Sequence, residues 1–227
     1  MLNNVSILIP FVSDDGPRNE AFKWVKQFYE NTLPGVEICV GVTDVTPFSK
    51  SKAVNHAASQ ATRDFFVITD SDIILDPSLI HQSIKLLESC PWVIPYQRVL
   101  NLDPQSTNEL LKNEPGWPIP FVYTGKQRPQ MGWGGINILQ RHQFERVGGF
   151  DERFRGWGGE DDAFAFSINH LFGLPHRLDA TIFHVWHPPG VLSHYMENRG
   201  YLQAYLAGTA SVLNEIEKRK QLKEENE

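Results

Sequence analysis

Three groups of side chains in this sequence have the types and spacing to do chemistry. The first is Asp70-Ser71-Asp72, which closes the apolar run "RDFFVITDSD". Alternate residues of an extended chain point the same way. Two carboxylates can therefore converge on one hard cation, which oxygen ligands favour. A turn in which acids cap the next helix explains the same residues, although Asp76-Pro77 could do that alone, and a motif this short also arises by chance. The second group is "GWGGEDDAF", Gly156 to Phe164. Its glycines permit positive φ and close backbone approach, so Trp157 can present a flat apolar face with acids behind it. A sugar, with apolar C–H faces and hydroxyl rims, suits such a surface. Acids are favourable at a helix start, so capping is the competing explanation for Glu160, Asp161 and Asp162. One cap residue would suffice, however, and three consecutive acids repel unless something is bound or one is protonated. A carboxylate within hydrogen-bond reach of a hydroxyl can act as a general base. The third group is His184 and His187 in "IFHVWHPPG". Imidazole is a common ligand for borderline metals such as manganese. On a regular strand these two positions face opposite sides, so both reach one ion only if the strand breaks at Trp186.

The elements that must hold these groups follow from periodicity. "VSILIPF", "GVEICVGVTD", "RDFFVITDSD" and "PWVIPYQ" read as strands. Between them, "RNEAFKWVKQFYE", "KSKAVNHAASQAT" and "PSLIHQSIKLLES" read as helices, the last with Pro77 at its start. Such alternation predicts an α/β sheet with parallel strands, whose ligands sit beyond the carboxyl ends of the strands. From Leu100 to Met131 the periodicity fails among Pro115, Pro118, Pro120 and Pro129, which predicts a long loop with at most one short helix near "STNELLK". "QRHQFERVGGF" and "DAFAFSINHLFG" read as helices closed by glycine. "SVLNEIEKRKQLKEENE" reads as an exposed charged helix. The expected organisation is one domain over 1–210 with a charged helical tail over 211–227.

The 227 residues suit one generous domain, and 41% hydrophobic content provides a sizeable core. A net charge of −6 argues against a broad nucleic-acid footprint. Cys39 and Cys90 read as reduced thiols rather than a disulfide framework. No stretch reaches 18 apolar residues, and "MLNNVSILIP" lacks a basic leader. A soluble cytoplasmic protein without a transmembrane segment is the expectation.

Together these residues resemble glycosyltransferases of the GT-A fold, most closely the β-1,4-galactosyltransferase and N-acetylgalactosaminyltransferase-like group. "FSKSKAVN" (Phe48 to Asn55) resembles that family's Phe-x-Arg-x-Lys-x-x-Asn block, with Lys50 and Lys52 in the basic positions. "VITDSDIIL" resembles its Asp-x-Asp strand end, and "GWGGINILQRHQFERVGGFDERFRGWGGEDD" its long signature block. "HVWH" stands where the family has a Met-x-x-His metal segment, so His184 departs from the pattern. The resemblance implies a mixed, mostly parallel central sheet flanked by helices. It also implies a hexosyltransferase that uses Mn2+ or Mg2+ and a nucleotide-diphosphate sugar, UDP-linked by default. The acceptor could be a glycan, a lipid-linked precursor, a protein or a modified base, and the oligomeric state is open. On the residues, it implies that Asp72 and His187, with His184 and Asp70, bind the metal. Pro10, Phe11, Asp44, Lys52, Asp70, Ser71, Gly134 and Gly135 would surround the donor. Trp157 would stack on a sugar, Asp161 would be the general base of an inverting displacement, and Glu160 would orient hydroxyls.

Two other classes share some of these features. A magnesium-dependent nucleotidyltransferase would carry a Gly-rich basic loop after its first strand, where "PFVSDDGPRNE" offers one glycine and one arginine. A non-catalytic sugar-binding protein would keep Trp157 but need neither Asp72 nor the histidines.

Overall fold

Val5–Pro10 (β1) is buried at every position, as befits a strand with partners on both edges and layers on both faces. The computed structural model describes residues 2–129, 132–188 and 193–224. In it, β1 pairs in parallel with Glu37–Gly41 (β2) and Phe65–Thr69 (β3). Ile136–Gln140 (β8) lies antiparallel between β3 and Trp92–Ile94 (β5), and His176–Arg177 (β9) closes the sheet parallel to β5. The order is β2-β1-β3-β8-β5-β9, a mixed and mostly parallel sheet, as expected. A second sheet has the order β4-β10-β6-β7, formed by Ile73–Ile74 (β4), Thr181–His184 (β10), Arg98–Leu102 (β6) and Gly125–Gln127 (β7).

Helices flank these sheets. In Pro17–Thr32 (α1) the residues Ala21, Trp24, Val25, Phe28 and Tyr29 are buried, an i, i+3, i+4, i+7, i+8 stripe that faces the core. Lys50–Gln60 (α2) buries Ser51, Val54, Ala57 and Ala58. Ser78–Leu86 (α3) and Arg141–Arg146 (α5) are short; Glu160–Phe172 (α6) ends at Gly173, whose φ is 110°. Two of these features position the site directly. Tyr29 donates its hydroxyl proton to the carbonyl of Ile73 at 2.9 Å, bracing the turn after β3. β4 pairs antiparallel with β10, His184 opposite Ile73, and Val185 N–H donates to the Asp72 carbonyl at 2.8 Å.

Two expectations are corrected. The segment from Leu100 to Met131 carries the expected short helix, Pro104–Lys112 (α4), but the rest is not all loop: it also contains the end of β6 and the strand β7. Asp103 caps α4 by accepting from Ser106 N–H at 2.7 Å, and Pro104 occupies the first turn, where proline is tolerated. The fully exposed "GKQ" of β7 has no apolar pattern and is held by pairing with β6 alone. Gln130 and Met131 lie outside the described residues. The charged C-terminal helix is also not a solvated appendage. Thr209–Glu224 (α8) buries Val212, Glu215, Ile216 and Arg219 against α6 and Tyr195–Leu206 (α7). Half of that stripe is ionic, so it does not read as amphipathic. Arg219 donates to the Val147 carbonyl at 2.6 Å and to the Tyr205 hydroxyl, while Glu215 accepts from Arg153. Buried charges persist only when paired in this way. Residues 225–227 of the expected tail lie outside the described residues.

Candidate active site

The turn after β3 and the chain leaving β10 meet because β4 and β10 pair. This brings Asp72, His184 and His187 together, each offering one ligand atom, all within 4.8 Å of one another. His187 Nε2 lies 3.0 Å and His184 Nε2 3.6 Å from Asp72 Oδ2. The strand ends at His184, so the two imidazoles converge with ring centroids 5.2 Å apart. Trp186 leaves the strand, its N–H donating to Thr107 Oγ1 at 2.9 Å. Burial acts to raise the Asp72 carboxyl, but His184 and His187 outweigh it and hold it at about 2. Asp72 Oδ1 is shielded and has no hydrogen-bond partner among the described residues. An unpaired buried carboxylate oxygen is costly, and the other oxygen of this carboxylate lies beside two imidazoles.

Asp70 is not in that cluster. Its carboxylate meets Lys50 Nζ at 2.6 Å, and the same ammonium meets Asp161 Oδ1 at 2.8 Å and Oδ2 at 2.9 Å. Asp161 also packs on the first Gly-Trp-Gly-Gly copy. A Cβ on Gly134 would fall 2.1 Å from Asp161 Oδ2, so only glycine permits this approach. The Gly135 carbonyl accepts from Asp70 N–H at 2.9 Å, and the Gly134 carbonyl accepts from the Tyr96 hydroxyl. Asp70, Gly134, Gly135 and Asp161 are thus held together through Lys50 and the Gly134–Gly135 backbone, with Glu160 next in the chain. The acids do not cap α6. Its N-cap is Gly159, in a left-handed conformation with φ 94°, and no side chain caps it. Burial, with Asp161 adding repulsion, raises Glu160 to about 7, and its Oε2 has no partner among the described residues.

The two tryptophans of the repeated motif have different surroundings. Trp133 packs against Trp92 at 6.0 Å, under the Arg177 guanidinium. Trp157 is 55% exposed, with the Tyr195 ring 5.7 Å away. Pro10 ends β1 in the core, and Phe11 stacks on Phe22 at 3.9 Å. Asp44 and Lys52 line a separate open cavity of about 590 Å3, with His56 and Glu152. Ser71 is half-buried in the turn between Asp70 and Asp72.

Sequence reasoning had no role for Lys50, Tyr96 or Asn55. Lys50 stood in the resembling block, but its neighbour Lys52 carried the expected charge. Asn55 donates to the Phe150 carbonyl at 2.9 Å and accepts from Phe150 N–H at 2.9 Å, pinning the turn that leads to the acids. Nothing local marks Tyr96, which is identified only by its contact with Gly134.

Residues 123–186 match the family model described as the N-terminal domain of galactosyltransferase. Human beta-1,4-galactosyltransferase 1 is 25% identical over 169 residues, 70% of this chain and 35% of its own length. The chain therefore spans about a third of that relative. Among solved structures, a mannosyltransferase from Pyrobaculum calidifontis in complex with GDP-Man and Mn2+ superposes with a TM-score of 0.51 at 15% identity. That match covers 89% of this chain and 62% of the other. Glucosyl-3-phosphoglycerate synthase from Mycobacterium tuberculosis, in complex with Mn2+, UDP-Glc and phosphoglyceric acid, superposes with a TM-score of 0.51 at 12% identity. Here the coverage is 92% of this chain and 79% of the other. The fold is that of the GT-A class. Within that fold, residues 123–186 are similar to galactosyltransferases.

Proposed function

We propose that the chain is a metal-dependent glycosyltransferase that moves a hexose from a nucleotide-diphosphate sugar to an acceptor hydroxyl with inversion. One observation carries this reading. The acid Asp161 shares an ammonium with Asp70, two residues from the three-ligand cluster at Asp72. A base and a cation site are therefore tied to the same strand-end turn.

Asp72, His184 and His187 fit a divalent ion, because the Asp72 carboxylate and two imidazoles form a mixed oxygen–nitrogen donor set, and Asp72 Oδ1 has no hydrogen-bond partner among the described residues. Such a set favours Mn2+ over Mg2+. When bound by these residues, a divalent ion would supply Lewis-acid neutralisation of the diphosphate leaving group. The Gly134–Gly135 backbone lets the donor sugar approach, and Trp157 offers a face for a sugar ring. Asp161 accepts the proton of the acceptor hydroxyl as its oxygen bonds to the anomeric carbon. The bond from that carbon to the diphosphate breaks, and its electron pair leaves with the nucleotide diphosphate.

The two solved structures compared above hold UDP-Glc and GDP-Man; the donor proposed for this chain is UDP-linked. A thermal-shift screen of nucleotide sugars with and without Mn2+ tests it, since stabilisation follows affinity. UDP-hexoses should raise the melting temperature in the presence of Mn2+ and leave it unchanged in EDTA. Asp161→Asn should keep that shift and lose sugar transfer by at least ~100-fold. Loss of nucleotide binding together with transfer would remove the base role.

A further inference from the structure

Lys50 occupies an unfavourable place for a cation. It is the first residue of α2, where the helix dipole repels positive charge, and the first turn of α2 carries no acid of its own. Its side chain is only 13% exposed. What compensates it comes from elsewhere in the chain: one oxygen of Asp70 and both oxygens of Asp161. The position is built rather than incidental. Ser49 Oγ, the N-cap of α2, donates to the Phe154 carbonyl at 2.8 Å. Gly156 N–H donates to the Phe48 carbonyl at 2.8 Å, and Asn55 holds both backbone groups of Phe150. These bonds join the start of α2 to the segment that delivers Glu160 and Asp161. Lys52, two residues on, points to a different face, as helical geometry requires.

We propose that Lys50 is a positioning residue for the reaction given above. Its ammonium ties the donor-side carboxylate Asp70 to the base Asp161, and fixes the rotation of the Asp161 carboxylate against Gly134. The inference rests on the reading of Asp161 as the base. Both oxygens of Asp161 accept from one ammonium, so the carboxylate plane is set by a two-point contact. Each oxygen keeps a second lone pair for the acceptor hydroxyl. Without the ammonium, Asp70 and Asp161 would repel, and the base would turn away from the attacking oxygen.

The test uses the full chain with Mn2+ and UDP-galactose or UDP-glucose, with water as the acceptor. Three quantities are read: kcat and KM for UDP release, and the affinity for UDP with Mn2+ by calorimetry. Lys50→Met should lower kcat on the order of 100-fold, the cost typical of a misplaced catalytic group, while KM and UDP affinity change less than about threefold. Lys50→Arg should recover most of kcat, because a guanidinium can also hold two oxygens of a carboxylate. Melting temperatures establish that each variant is folded. Lys50→Met overturns the proposal if kcat stays within threefold of the parent, or if UDP affinity falls in step with kcat. Failure of Lys50→Arg to restore activity in a folded protein overturns it as well. Asp161→Asn separates the two levels. If that variant is inactive and Lys50→Met is not, only the positioning role falls; if it is as active as the parent, the base assignment falls with it.

Discussion

Glu160 and Asp161 are adjacent, but their surroundings separate their chemistry. Burial raises both carboxyls, yet Asp161 has the Lys50 ammonium against it, while Glu160 has a shielded oxygen with no partner among the described residues. Glu160 is therefore the acid that holds its proton to higher pH, its carboxyl raised from 4.5 to about 7. A carboxyl raised on folding favours the native state while protonated, and that contribution is lost as the pH rises from its unfolded value through about 7. Glu160→Gln removes the ionisation penalty. Its melting temperature should exceed the parent's at pH 8, by on the order of 2 kcal/mol in stability, and the difference should vanish near pH 5. Equal pH profiles for the two proteins would show that Glu160 ionises freely. At this scale the sequence was informative about acids and imidazoles, whose types are rare enough in combination to stand out. It was silent about Lys50 against Lys52, because helical phase decides which lysine meets the acids, and the position of the helix start decides the phase.

Among the elements, α8 shows how pattern and packing diverge. Its buried stripe contains Glu215 and Arg219, satisfied by Arg153, Tyr205 and Val147. The same network reaches Asp151, which accepts from the Tyr205 hydroxyl at 2.7 Å and from Arg153. Asp151 follows Phe150, the residue that Asn55 holds, so α8 braces the turn ahead of the acids. Ile216, 1% exposed, is the apolar centre of that contact. Ile216→Ala should cost about 2–5 kcal/mol in chemical denaturation. An exposed tail would lose less than ~0.5 kcal/mol. The parallel strands and α1, α2 and α6 were legible because each has an uninterrupted apolar period. The strands β6 and β7 were not: they are short, and their order comes from pairing with β10 and with each other rather than from composition; α4 is the short helix that "STNELLK" predicted.

For the whole molecule, the site draws on chain from Lys50 to His187, while the segment matching the galactosyltransferase model runs from 123 to 186. That segment holds Glu160, Asp161 and His184 but not Lys50, Asp70, Asp72 or His187. The fold class could be inferred from strand–helix alternation. The order β2-β1-β3-β8-β5-β9 could not, because nothing in the sequence of β8 says that it inserts antiparallel between β3 and β5. The cysteines are free, as their surroundings in the sequence implied. No helix among the described residues is long and apolar enough to cross a membrane.

The seam where β4 meets β10 is a single two-residue pairing between remote parts of the chain. A cation seated on Asp72, His184 and His187 would act there as a removable staple, closing a loop that contains β5, β8 and the whole acid-bearing helix. Chain-closing links of this kind gain most when the enclosed loop is long. Mn2+ alone, without nucleotide, should then slow amide exchange in β4 and β10 more than in β1 or α1. Unchanged exchange at the seam would mean that the ion arrives only in the company of its diphosphate.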